Sequence, residues 1–212
     1  MVATLRSIWR AWHGTQHVAL GAASVSVLLL WNTPLSVPGR DDIAQIVWPL
    51  SPTFLSLACL TGARTAHHDA ERLTPRGAAL TRASYVVALA VFCAALLIPS
   101  GPVASRLVLA RNDAFLCGLA LLALELLPPA AAWTPLVVVP MLTWLLGSNG
   151  LGRAPEPWAV LLAPGASATA ALAAVLALTG GAVLYIARPG QVEVRRIILR
   201  RRSVISGARN GR

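Results

Sequence analysis

Apolar stretches of bilayer-crossing length recur along this chain of 212 residues, and they constrain its fold more than any other feature. A helix needs about 20 largely apolar residues to cross a ~30 Å hydrocarbon core. Six stretches are candidates: about 17–36, 43–62, 83–99, 114–128, 130–147 and 166–187. The second contains Pro49 and Pro52. The fourth is the weakest, because only 14 residues lie between Asp113 and Pro128. It either lengthens at its start or forms a re-entrant hairpin with the fifth. Composition agrees with a membrane solvent. Hydrophobic residues make up 56% and charged residues 12%, whereas soluble domains carry about 25% charged. Mean hydropathy is +0.66. The expected fold class is all-α, a polytopic integral membrane helical bundle of about six transmembrane helices. Its expected parts are an amphipathic interfacial helix at 1–16, a transmembrane domain at 17–187 and a basic tail at 188–212.

Charge placement sets the expected orientation. The net charge is +10, and the tail from Arg188 holds eight arginines and one glutamate, so the rest of the chain carries only +3. With a cytoplasmic N-terminus, six spans put 14 arginines inside and four outside. Cytoplasmic segments are enriched in Lys and Arg, which favours this arrangement. Both termini are then cytoplasmic, in the cell membrane. Arg106 and Arg111 on the outer side are its awkward feature. A cleaved signal peptide is the competing reading of the N-terminus, but no A-x-A-like site follows Trp31.

Several chemistries are excluded at once. All 18 basic residues are arginine, so the chain has neither the lysine of a Walker A loop nor one for Schiff-base catalysis. It contains no H-E-x-x-H and no G-x-S-x-G. No catalytic residue, cofactor or metal site is expected, and the chain is read as no enzyme. Cys59, Cys93 and Cys117 lie in apolar runs and read as buried hydrophobes, not a disulfide framework. The lysine-free, Ala- and Arg-rich usage suggests a high-GC bacterial genome.

Outside the spans, Leu5, Ile8, Trp9 and Trp12 fall at i, i+3, i+4 and i+7, with Arg6, Arg10, His13 and His17 on another face. This pattern suits a helix lying in the membrane interface. Residues 63–82 form the largest internal polar loop. It carries His67, His68, Asp69, Glu71 and Arg72. Their spacing matches no zinc-ligand pattern. Ala66 to Leu73 is helix-compatible, with Thr65 as N-cap and Pro75 ending it. In 148–165, Gly150, Gly152, Pro155, Pro157 and Pro164-Gly165 bracket a short apolar piece. That reads as a re-entrant or interfacial hairpin on the outer side.

Ala166, Ala170 and Ala174 repeat every four residues, as do Ala173, Ala177 and Gly181. Such small faces let helices approach closely, within one chain or between two. Arg195, Arg196, Arg200, Arg201 and Arg202 form a juxtamembrane cluster suited to anionic lipid headgroups. No stacking aromatic follows Tyr185, so nucleic acid is not an expected partner. Glu125 is the one ionisable residue well inside a proposed span. Such groups are costly at the bilayer centre. It either reaches headgroup water beside Pro128-Pro129 or faces the bundle interior as a polar site.

The order of segments resembles the permease subunit of ABC-2-type exporters. Ala110-Arg111-Asn112, the Gly118 to Leu121 helix, the Trp- and Pro-rich fifth span and Trp158-Ala159 look like small permease-like membrane proteins of actinobacteria. The resemblance implies a homo- or heterodimer of membrane subunits around a central path, driven by separate ATP-binding-cassette ATPases. The 63–82 loop would contact the ATPase. The alternatives are a small secondary exporter, which needs ion-coupling acids at mid-membrane, and a non-transporting scaffold or assembly protein.

Overall fold

The computed structural model describes residues 14–29, 34–37, 40–46, 48–70, 75–97, 103–147 and 155–187. Six α-helices account for most of them: α1 (Gly14–Leu29), α2 (Pro52–Ala70), α3 (Pro75–Leu97), α4 (Val103–Leu126), α5 (Thr134–Leu146) and α6 (Ala168–Ala187). The architecture is helical, as expected. The exception is one antiparallel hairpin, β1 (Pro34–Val37) with β2 (Arg40–Ile46), which carries Asp41 and Asp42. The amphipathic N-terminal segment and the arginine-rich tail lie outside the described residues.

Several boundaries differ from the sequence expectation. The stretch 17–36 contains α1 up to Leu29 and the strand β1 from Pro34. The stretch 43–62 is not one helix. It is the end of β2, a 3-10 turn at Trp48–Leu50, and the start of α2. The prolines explain the break. Proline lacks the N–H that a helix interior needs, and it is favoured at a helix's first position, which Pro52 takes. The fourth stretch does lengthen at its start, reaching back to Val103. The third begins at Pro75 and the sixth at Ala168. The fifth shrinks to 13 residues, with Pro135 near its start and Pro140 inside it. At 1.5 Å per residue it is only about 20 Å long.

The hydrogen bonds between helices fix their directions. Tyr85 of α3 donates to Cys59 O of α2, while Arg82 reaches Tyr185 O of α6. Asn112 of α4 reaches back to Pro49 O, just before α2. Helices α2, α4 and α6 therefore run one way, and α3 and α5 run back. Ser24 Oγ donates to Ser51 O, so α1 ends where α2 begins. The upper end holds Pro49, Asn112 and residues 161–164. The lower end holds Ala63, Arg82, Glu125 and Tyr185. Core residues follow the same division. Leu50, Leu116 and Leu161 cluster toward the upper end, and Cys59, Tyr85, Leu121, Leu136 and Tyr185 cluster below.

The expected 63–82 loop is largely helix. Residues 63–70 complete α2 and 75–82 open α3, leaving 71–74 between them. Thr65 is inside α2 instead of at a helix start. Pro75 starts a helix here instead of ending one.

Candidate functional site

Helix α4 carries polar residues into the bundle at both ends. At the upper end, Arg111 is 8% exposed and Asn112 is fully buried. Arg111 Nη1 donates to Pro164 O at 2.7 Å and Nη2 to Ala163 O at 2.8 Å. Its Nε and Nη2 also donate to Asn112 Oδ1 at 3.1 and 2.9 Å. Asn112 Nδ2 donates to Leu161 O at 2.8 Å and to Pro49 O at 2.7 Å. Two neighbouring side chains thus satisfy carbonyls from two non-helical segments. Arg111, awkward in the expected charge distribution, is therefore not a water-facing charge. Asp113 follows, buried, and accepts from Cys117 Sγ at 3.6 Å.

At the lower end, Arg82 is 1% exposed. Its Nη1 donates to Tyr185 O at 3.3 Å, and its guanidinium carbon lies 5.9 Å from the centroid of the Tyr185 ring. This is within cation–π range. Tyr185 Oη donates to Ala63 O at 2.7 Å, and Tyr85 Oη donates to Cys59 O at 2.9 Å. Both tyrosines therefore hold α2 by carbonyls one turn apart. Glu125 is 8% exposed, and Tyr185 feels its charge together with that of Arg82. Glu125 is thus buried within the protein near the lower end of α4.

Between the two ends, α4 and α6 run parallel and nearly touch. A Cβ on Gly118 would overlap Ala177 C and Leu178 N, and one on Gly181 would lie 2.5 Å from Gly118 O. Ala170, Ala174, Gly181 and Tyr185 are the buried residues of α6. The small-residue face is thus used within the chain. Its opposite face is apolar and open. Leu172, Val175, Leu176 and Val183 are 57–63% exposed. Leu80, Val87 and Val91 on α3 and Met141 and Leu142 on α5 are also exposed. Polarity is partly inverted: Arg82, Arg111, Asp113 and Glu125 are buried beside the core leucines, while large aliphatics cover much of the outer surface.

Of the other expected site residues, His67, His68 and Asp69 lie in the last turns of α2, while Glu71 and Arg72 lie outside the described residues. Arg195, Arg196, Arg200, Arg201 and Arg202 also lie outside them. Cys59 and Cys117 are buried thiols outside any disulfide. Among the described residues, no three His, Cys, Asp or Glu side chains are placed to hold a metal. Sequence reasoning missed Arg82, Arg111, Asn112 and Asp113. The one available signal was charge placed next to an apolar run.

By length and composition, Arg106–Leu126 and Ala168–Ala187 could each cross a membrane. No protein-family model matches the chain, and no curated protein or solved structure matches it either.

Proposed function

We propose that this chain is a multi-pass integral membrane protein with both termini cytoplasmic. We further propose that it works as the permease-type subunit of an ATP-driven exporter, alongside a separate ATPase. The partly inverted polarity carries the membrane part of this reading. Monomers in water rarely expose apolar patches beyond a few hundred Å², and lipid is the solvent that accepts Leu172, Val175, Leu176 and Val183 on one open face. Small residues at helix contacts and charges facing inward are what bundles in lipid use. The alternating helix directions suit an even number of passes. The ATPase part rests on the α2–α3 corner. Its helical end carries His67, His68 and Asp69 beyond Ala63, where the two tyrosines fix α2. A partner can push only on something rigid.

A second reading, an ion-coupled exporter, is favoured by one observation. Asp113 and Glu125 are both buried acids on α4, as ion-coupling transporters require. Membrane integration is tested by an alkaline carbonate wash, which should leave the protein in the membrane pellet. Release into the supernatant would sink the whole reading. The driver is tested by purification in mild detergent. Recovery of an ATP-binding-cassette ATPase with wild type, and its loss with Asp69→Arg/Glu71→Arg, supports the permease role. Its absence from both favours the ion-coupled or scaffold readings.

A further inference from the structure

We propose that the α4–α5 corner, residues 126–133, is a lipid anchor seated at the headgroup–acyl boundary of one leaflet, while the α2–α3 corner at the same end stands beyond it in water; this deepens the membrane reading above and rests on it. The two corners differ first in chemistry. The chain around the α2–α3 corner carries Arg64, His67, Asp69, Glu71 and Arg72. Around the α4–α5 corner, no charged residue falls between Glu125 and Arg153. Leu126 is 69% exposed, Leu127 37% and Trp133 51%, and Pro128, Pro129 and Ala130 between them are exposed as well. An uncharged aliphatic and indole surface suits the membrane interface, where tryptophan is enriched.

The corners also differ in reach. Tyr185 Oη donates to Ala63 O and Tyr185 feels the charge of Glu125, which puts Ala63 and Glu125 at one level. Past that level α2 runs on to Ala70, while α4 ends at the next residue, Leu126. At 1.5 Å per residue the end of α2 protrudes about 9 Å further. The headgroup layer on each side of a bilayer is about 5–8 Å thick. A leaflet that covers the apolar corner therefore leaves the charged one in water. The backbone of the α4–α5 corner fits a site with little water. Pro128, Pro129 and Pro135 have no N–H to satisfy. Leu127 N donates to Ala123 O at 2.9 Å, Ala131 N to Pro128 O at 2.8 Å and Thr134 N to Ala131 O at 3.0 Å. Non-helical backbone near the acyl region needs such internal partners. The corner is also held to the bundle, because Ala132 is 2% exposed and joins the core cluster with Leu121 and Leu136. Its exposed apolar surface continues along α5 through Val138, Met141 and Leu142. That continuity favours lipid over a protein partner as the occupant.

Spin labels test the placement. Ala130→Cys and Leu126→Cys mark the apolar corner at exposed positions, and Thr74→Cys marks the charged one. Each variant keeps the native cysteines, and the signal of the unaltered protein treated with the same label is subtracted. The full chain is labelled in detergent and reconstituted into vesicles of phosphatidylcholine and phosphatidylglycerol. Collision of each label with oxygen, which concentrates in the acyl region, is compared with collision with a water-soluble nickel chelate. The logarithm of the oxygen-to-nickel ratio should be positive at residues 126 and 130 and negative at residue 74. A negative value at 130 as well would put the corner in water and overturn the anchor. Protection of residues 126 and 130 from both reagents would mean that protein covers them, which also overturns it. Carbonate extraction of cell membranes holding the same variants separates the anchor from the membrane reading. Release of the protein overturns both, whereas retention with a nickel-favoured label at 130 overturns the anchor alone.

Discussion

Gly118 and Gly181 face each other across the parallel α4–α6 crossing, and neither position has room for a methyl group. The crossing brings the backbones together because side chains are absent on both sides. With Ala170 and Ala174 on the same buried face, the contact extends along most of α6. In lipid, where apolar side chains gain little by leaving solvent, such close backbone packing is a main source of helix association.

Overpacking a close contact typically costs about 1–3 kcal/mol. Gly118→Ala and Gly181→Ala are each expected to lower the thermal midpoint of the purified protein in detergent. Gly180→Ala is the control, since nothing lies within 4 Å of its added Cβ. Replacing a helical glycine with alanine removes a propensity cost of about 1 kcal/mol. Gly180→Ala should therefore be neutral or stabilising. A midpoint that is the same in all three variants would contradict the crossing.

The two tyrosines offer a second measurement. Tyr85→Phe and Tyr185→Phe each remove one buried donor to a carbonyl of α2. A neutral hydrogen bond contributes about 0.5–1.5 kcal/mol net. Each single change should destabilise by that order. Tyr185→Phe keeps the ring beneath Arg82, so the cation–π contact survives it. Tyr185→Leu should then cost more than Tyr185→Phe. Equal midpoints for the phenylalanine and leucine variants would remove the ring contact from the account.

These residues also show what sequence alone could and could not give. The bounds of α6 fall within two residues of the expected stretch, because one uninterrupted apolar run defines it. The buried role of α4's polar residues was hidden. Arg111 and Asn112 read as the charged margin of a span, and their acceptors lie 49–63 residues away in the chain. Arg82 read as a loop arginine, and its partner Tyr185 is 103 residues distant. Periodicity reports local faces only, so long-range polar pairing leaves no trace in it. Pro49 and Pro52 were visible from the start. That they replace a span's first half with a turn depends on how the chain before α2 is held.

Glu125 and Glu156 form a matched pair of acids in unlike settings. Glu125 is buried near the lower end of α4, whereas Glu156 lies on the upper segment and is only partly covered. Removing a charge from a buried, coupled site costs more than removing one near solvent. Glu125→Gln should lower stability or membrane yield clearly, and Glu156→Gln should be nearly silent. Indistinguishable behaviour of the two variants would place Glu125 in headgroup water after all.

Topology gives the last prediction, and the structure changes where its probes belong. Arg82 is buried in α3, so a reporter fused after it would cut through the lower cluster. Residue 74, between α2 and α3, is the better junction. Arg82 and Arg111 also drop out of the charge count, because neither faces water. Without them the split is 13 arginines on the expected cytoplasmic side against three on the other, so the bias persists. Fusions at residues 74 and 202 should both report cytoplasm. A fusion within residues 148–154, between α5 and residue 155, should report the opposite side. Alternating helix directions require the first and third of these to differ, whichever way the protein is inserted. A shared location for residues 74 and 148–154 would therefore refute the alternating arrangement, while a uniform inversion of all three signals would refute the orientation alone.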